Sequence, residues 1–180
     1  MRRSTLLAAI LALAFLGTTA QAASVHFKGG RNAGPSFSDN GLTLTASGAL
    51  AGLGNQDLFI GLSATGNPTA TCTNPSGSNQ PPGQNPAPVT TAGSLEILSD
   101  EIEKNGSVPF SVTTDPPVTP VAGAPDCPNP RWTEEITDMA FTSAVITVEQ
   151  PVGTVVLTAS CTFSSPTEDG SVPRNQVSCS

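Results

Sequence analysis

Residues 154–163 read TVVLTASCTF. Val155, Leu157, Ala159, Cys161 and Phe163 share one parity, and Val156, Thr158, Ser160 and Thr162 take the other. Side chains along a strand alternate between faces, so this stretch predicts a half-buried strand with Cys161 pointing inward. Just upstream, Pro151-Val152-Gly153 is turn chemistry, and before it residues 140–150 (AFTSAVITVEQ) form another strand candidate. Turn and strands together predict an antiparallel hairpin. The upstream strand slips in register: Met139 and Phe141 lie on one parity, Ala144, Ile146 and Val148 on the other. A one-residue bulge near Thr142-Ser143 turns both sets toward the core.

The same period of two recurs along the chain. Val108, Phe110 and Val112 alternate with Ser107, Pro109, Ser111 and Thr113. Pro109 has no N–H for a ladder, which places this strand at a sheet edge. Residues 42–46 (LTLTA) form a further candidate, as do residues 58–65, where Leu58, Ile60, Leu62 and Ala64 make the inner face. Shorter candidates are 25–28, 69–73, 95–98 and 176–179, and no stretch carries a helical period. Eight or nine short strands in residues 23–180 predict an all-β fold: one antiparallel β-sandwich, Ig-like or a related Greek key.

Two segments break the pattern. Residues 74–88 (NPSGSNQPPGQNPAP) and 114–130 (TDPPVTPVAGAPDCPNP) are rich in Pro, Gly, Asn and Ser, and are expected to be long extended surface loops. Length allows one domain. Residues 1–22 have the layout of an export signal: Arg2 and Arg3, an 11-residue apolar run over 6–16, then Ala20-Gln21-Ala22. That run is too short to span a bilayer, which takes about 20 apolar residues. The expected product is a secreted or periplasmic protein with no transmembrane segment, starting near Ala23.

Four cysteines in an exported chain imply two disulfides. A turn at Glu168-Asp169-Gly170-Ser171 folds Cys161 opposite Cys179, leaving Cys72 to pair with Cys127 and staple the two loops. Zinc needs closely spaced Cys or His pairs, which this sequence lacks.

Composition limits the chemistry. The chain has 7 Lys plus Arg against 14 Asp plus Glu, a formal charge of −7, which opposes nucleic-acid binding through a basic surface. The sequence has one His and no Tyr. His26, near the predicted mature N-terminus, reads as a solvent-facing strand residue rather than a catalytic base. Carboxylate pairs for a polysaccharide hydrolase are available in Asp100-Glu101-Glu103, Glu134-Glu135-Asp138 and Glu149. Asp100, Glu101 and Glu103, with Asn105 and Gly106 behind them, are also weak calcium candidates, though they do not match an EF-hand loop. Residues 99–104 (SDEIEK) otherwise read as a solvated turn or one helical turn. No cofactor is expected.

Trp132 is the single Trp, in residues 127–134 (CPNPRWTE). With Arg131 it is either an exposed anchor for a partner or a cap on one end of the core. The leading expectation is a non-enzymatic extracellular binding module working through the stapled Pro-rich loops, with an extracellular protein or glycan as partner. The alternatives are a carboxylate-dependent polysaccharide hydrolase, a structural coat or matrix component, and a secreted protease inhibitor.

Overall fold

A computed structural model describes residues 24–30, 33–79, 87–119 and 127–180. The predicted export signal lies outside the described residues, as do residues 80–86 and 120–126 of the two loops. Among the described residues ten strands run in chain order: β1 (His26–Phe27), β2 (Ser36–Asp39), β3 (Leu44–Ala51), β4 (Leu58–Thr73), β5 (Val89–Ile97), β6 (Val108–Thr113), β7 (Thr133–Glu149), β8 (Val155–Phe163), β9 (Gly170–Ser171) and β10 (Val177–Cys179).

They form two five-stranded antiparallel sheets that bury their apolar parities against each other, as the alternation predicts. In the first sheet β6 covers one side of β3, while β1 and β2 divide the other side between them and β9 pairs β2. Pro109 sits in β6, which pairs only β3, so the residue without an N–H is on an edge. The second sheet runs β10-β8-β7-β4-β5. Between the sheets, Phe37 meets Phe163 edge to face with ring centroids 5.2 Å apart.

The bulge expected near Thr142 is present: Thr65 pairs Ser143 and Gly66 pairs Phe141, leaving Thr142 over. A second bulge leaves Thr137 over between Asp138 and Ile136. The two bulges bring Ile136, Met139, Phe141, Ala144, Ile146 and Val148 all into the core despite their mixed parity. The hairpin at 150–154 closes as expected, with the Thr154 N–H donating to the Pro151 carbonyl and Gly153 at φ +91°. Gln150 turns inward and pins the β3–β4 loop: its Oε1 accepts from the Gly54 N–H (2.7 Å), and its Nε2 donates to the Gln56 carbonyl (2.7 Å).

Several expectations need correction. Residues 58–65 and 69–73 are one 16-residue strand, β4. Pro68 fits within it because β5 has already ended opposite Gly66, and the Met139 N–H opposite Pro68 turns away to the Gly41 carbonyl. The strand expected over 42–46 begins at Leu44 and runs to Ala51. Val155 is exposed rather than inward, because a bulge at Val156 shifts the register beyond Leu157. β10 brings Cys179 opposite Cys161, but not by a hairpin at 168–171. The chain crosses to the other sheet there, pairs β9 with β2, and returns through a 3-10 turn at Arg174–Gln176. The strand expected at 95–98 is the end of β5, which starts at Val89.

β5 follows from close packing as much as from alternation. A Cβ built on Gly93 would lie 1.9 Å from the Thr113 carbonyl oxygen, so only glycine lets β5 pass the end of β6. The chain leaving β6 then crosses between the sheets. Leu44 and Thr114 bond reciprocally, and the Asp115 N–H donates to the Ala92 carbonyl (2.8 Å).

Candidate functional site

β4 and β7 outrun their neighbours. β5 stays with β4 only as far as Gly66, and β8 leaves β7 at Ser143. Within the sheet, residues 67–73 therefore have only 133–140 beside them, as a two-stranded arm of about 23 Å at the usual rise per residue. Both Pro-rich segments attach at the tip of this arm.

The tip is tied by Cys72–Cys127, with Cα atoms 5.7 Å apart across 55 residues of sequence. Cys72 is fully buried on the inner face of the arm, opposite Glu134, which is itself only 2% exposed. Trp132 packs on this disulfide and is half-buried. Its backbone is fixed by a tight turn. The Trp132 N–H donates to the Asn129 carbonyl (2.9 Å), and the Arg131 N–H to Asn129 Oδ1 (2.9 Å). The Arg131 side chain stays exposed. The other strand of the tip leads into an ordered Asn74 turn: Asn74 Oδ1 accepts from the Ser76 and Ser78 N–H groups, and Thr73 bridges Asn79. The start of the 74–88 segment is thus a bonded turn rather than a featureless loop.

The second disulfide, Cys161–Cys179, closes the β8–β10 edge (Cα–Cα 4.0 Å), leaving no free cysteine. Disulfides belong to oxidising compartments. Among the described residues no helix is long and apolar enough to cross a membrane.

The remaining candidates are scattered. His26 lies exposed on β1, with Nδ1 2.7 Å from the Ser24 carbonyl. Residues 99–104 form turns rather than a helix. There Glu101 accepts from the Leu98 N–H, and Glu103 accepts from the Ser107 hydroxyl (2.7 Å). Ser107, Asn105 and the charge of Lys28 hold the Glu103 carboxyl below its ordinary range. Asp100, Glu101 and Glu103 do not converge, and among the described residues no three acidic, His or Cys groups gather to hold a metal. Glu149 caps the β7–β8 turn through the Gly153 N–H, and Glu135 is exposed on the arm.

One polar cluster has no counterpart in the sequence pattern. Asp39, 3% exposed, accepts from the Gly41 N–H (2.9 Å) and from the Thr167 hydroxyl, which in turn accepts from the Phe141 N–H (2.8 Å). This chain of bonds joins the two sheets where β8 has left the edge of β7. Burial, with Asp138 and Asp169 nearby, pushes the Asp39 carboxyl up, against the two hydrogen bonds that lower it.

No protein-family model matches the chain, and no curated protein matches it. Among solved structures, a calcium-binding mutant of Bacteroides uniformis beta-glucuronidase 2 is similar at TM-score 0.30 and 14% identity. The match covers 78% of this chain and 14% of that one, and a likeness this low carries no argument about fold or function.

Proposed function

We propose that the protein is a small secreted or periplasmic binding module without catalytic activity, whose working surface is the tip of the β4–β7 arm with Trp132 and Arg131. The partner is an extracellular protein or glycan. The observation that carries this is the half-exposed indole resting on the Cys72–Cys127 disulfide, its backbone locked by the Asn129 turn. An aromatic side chain held in place before binding loses little conformational freedom on contact, which is the physical advantage of a preorganised anchor. Export supports the same reading through the two disulfides and the absence of a free thiol.

The test compares the oxidised protein with Trp132→Ala and Arg131→Ala on arrays of soluble glycans and extracellular proteins, alongside a reducing-end assay on polysaccharides. Binding that falls at least tenfold in Trp132→Ala while the far-ultraviolet circular dichroism is unchanged supports the module. Sustained release of reducing ends that survives both substitutions replaces it with the hydrolase.

A further inference from the structure

The turn between β5 and β6 carries a motif that the arm does not use. Residues 103–107 read EKNGS, and Asn105-Gly106-Ser107 is the Asn-x-Ser acceptor pattern for an N-linked glycan. Two other triplets share the frame, Asn67-Pro68-Thr69 and Asn74-Pro75-Ser76, but in both the middle Pro disqualifies the pattern. Glu103 adds an acidic residue two positions before the Asn, which a class of envelope oligosaccharyltransferases also reads. The structure keeps the acceptor accessible. Asn105 is exposed, in a turn closed by the Gly106 N–H on the Glu103 carbonyl (2.8 Å). Its Oδ1 accepts from the Ser107 N–H (3.0 Å) and from the Ser107 hydroxyl (2.8 Å). A backbone N–H only donates, so the carboxamide oxygen must face it and Nδ2 is left out of the turn's bonding. A saccharide on Nδ2 therefore keeps both bonds to Oδ1. Gly106 anchors the turn against the β3–β4 loop: its φ is +72°, and a Cβ there would lie 2.6 Å from the Leu53 carbonyl oxygen.

We propose that Asn105 Nδ2 carries an N-linked glycan, attached during export and before folding. This rests on the export reading, because lipid-linked saccharide donors and their transferases act on the far side of the export membrane. The donor is an oligosaccharide joined through pyrophosphate to a lipid. The bond from Nδ2 to the sugar C1 forms as the C1–O bond to pyrophosphate breaks; the lipid pyrophosphate leaves, and the amide proton passes to a base of the transferase. Ser107 is 4% exposed and its hydroxyl also donates to Glu103 (2.7 Å), so the transferase reads residues 103–107 before folding closes the turn. The glycan leaves the arm open. β5 ends at Ile97 opposite Leu58, and from Leu58 to Cys72 β4 extends about 45 Å at the usual strand rise.

The experiment recovers the protein, with its Asn105→Gln and Ser107→Ala variants, from the envelope and medium of its own source. It reads the N-terminus, the intact mass and the peptide spanning residue 105. The expected chain starts near Ala23 with a saccharide mass on Asn105, and both variants lose that mass. Membranes of the source, given the unglycosylated chain, should modify its reduced, unfolded form and not its oxidised, folded form. An exported chain with Asn105 unmodified overturns the glycan and leaves the export reading standing, whereas a chain that retains residues 1–22 overturns both. A saccharide that persists in either variant overturns the acceptor assignment. Equal modification of the folded and unfolded forms overturns the order of events.

Discussion

The body of the sandwich and the β4–β7 arm use the same two strands and hold them together by different means. In the body, residues 58–66 of β4 and 143–149 of β7 have neighbours on both sides, and Leu58, Ile60, Leu62, Ile146 and Val148 are almost wholly buried between the sheets. In the arm each strand has lost its outer neighbour; Ile136 and Met139 still reach the core, while toward the tip the inner face carries the small or polar side chains of Ala70, Cys72 and Glu134. Apolar burial is the dominant stabilisation available to the body. The arm keeps only part of it and adds a covalent tie at the tip and hydrogen bonds at the root, where Gly41 and Thr167 bind the free edge of β7. A strand pair therefore extends beyond its sheet when cross-links take over from packing, and the surface it presents is fixed by those links.

The largest effect expected from breaking this contrast is in the body. Phe141→Ala empties a fully buried site between the sheets and should cost about 3–5 kcal/mol, read as a loss of global stability in denaturant unfolding. The paired substitution Cys72→Ser with Cys127→Ser should cost about 2–4 kcal/mol. Its hydrogen-exchange signature should differ from that of Phe141→Ala, with protection lost first at 67–73 and 133–140 while the body amides keep theirs. Equal loss in both regions would erase the distinction between arm and body. Gly93→Ala forces a methyl against the Thr113 carbonyl and should cost about 1–3 kcal/mol, with amide shifts centred on the β5–β6 crossing rather than the arm.

The smallest effect sharpens the comparison at the root of the arm. The folded chain raises the Asp39 pKa, so the native state holds that proton more tightly than the unfolded chain. The resulting stability is fully present below the unfolded pKa and is lost as pH rises through the folded one. Asp39→Asn should remove this dependence, so that the parent's melting temperature rises relative to the variant's as pH falls through this window. A parent that gains stability relative to the variant as pH rises through this window would show that the ionised carboxylate is the stabilising form.

Strands with large residues on one parity were legible: β6, β8 and the first half of β4 all follow from alternation, and the slip between Phe141 and Ala144 located the bulge at Thr142. The second bulge left the same trace, since Ile136 and Met139 also differ in parity, but Thr137 lies beyond the stretch where strand and loop are separable by pattern. β2 (Ser-Phe-Ser-Asp) and β9 (Gly-Ser) are too short to show a period, and the start of β5 (Val-Thr-Thr-Ala-Gly) has one large apolar side chain, so tertiary contacts define them instead. Both disulfide pairs agree with the expectation from cysteine number, but the hairpin at 168–171 that argued for Cys161–Cys179 is not what brings those two cysteines together. Trp132 stood out as a lone residue type. Its seat on the disulfide and the Asp39 junction depend on contacts between distant segments, which spacing does not encode.

At the tip of the arm the Cys72–Cys127 disulfide seats Trp132 half-buried. The direct measurement is Trp132 emission with acrylamide quenching before and after reduction, made simple by a chain with one Trp and no Tyr. Partial shielding in the oxidised protein is predicted. Reduction should raise quenching, shift emission to the red and leave the far-ultraviolet circular dichroism unchanged. An indole as accessible as free tryptophan before reduction, or one fully shielded and indifferent to it, would contradict the account.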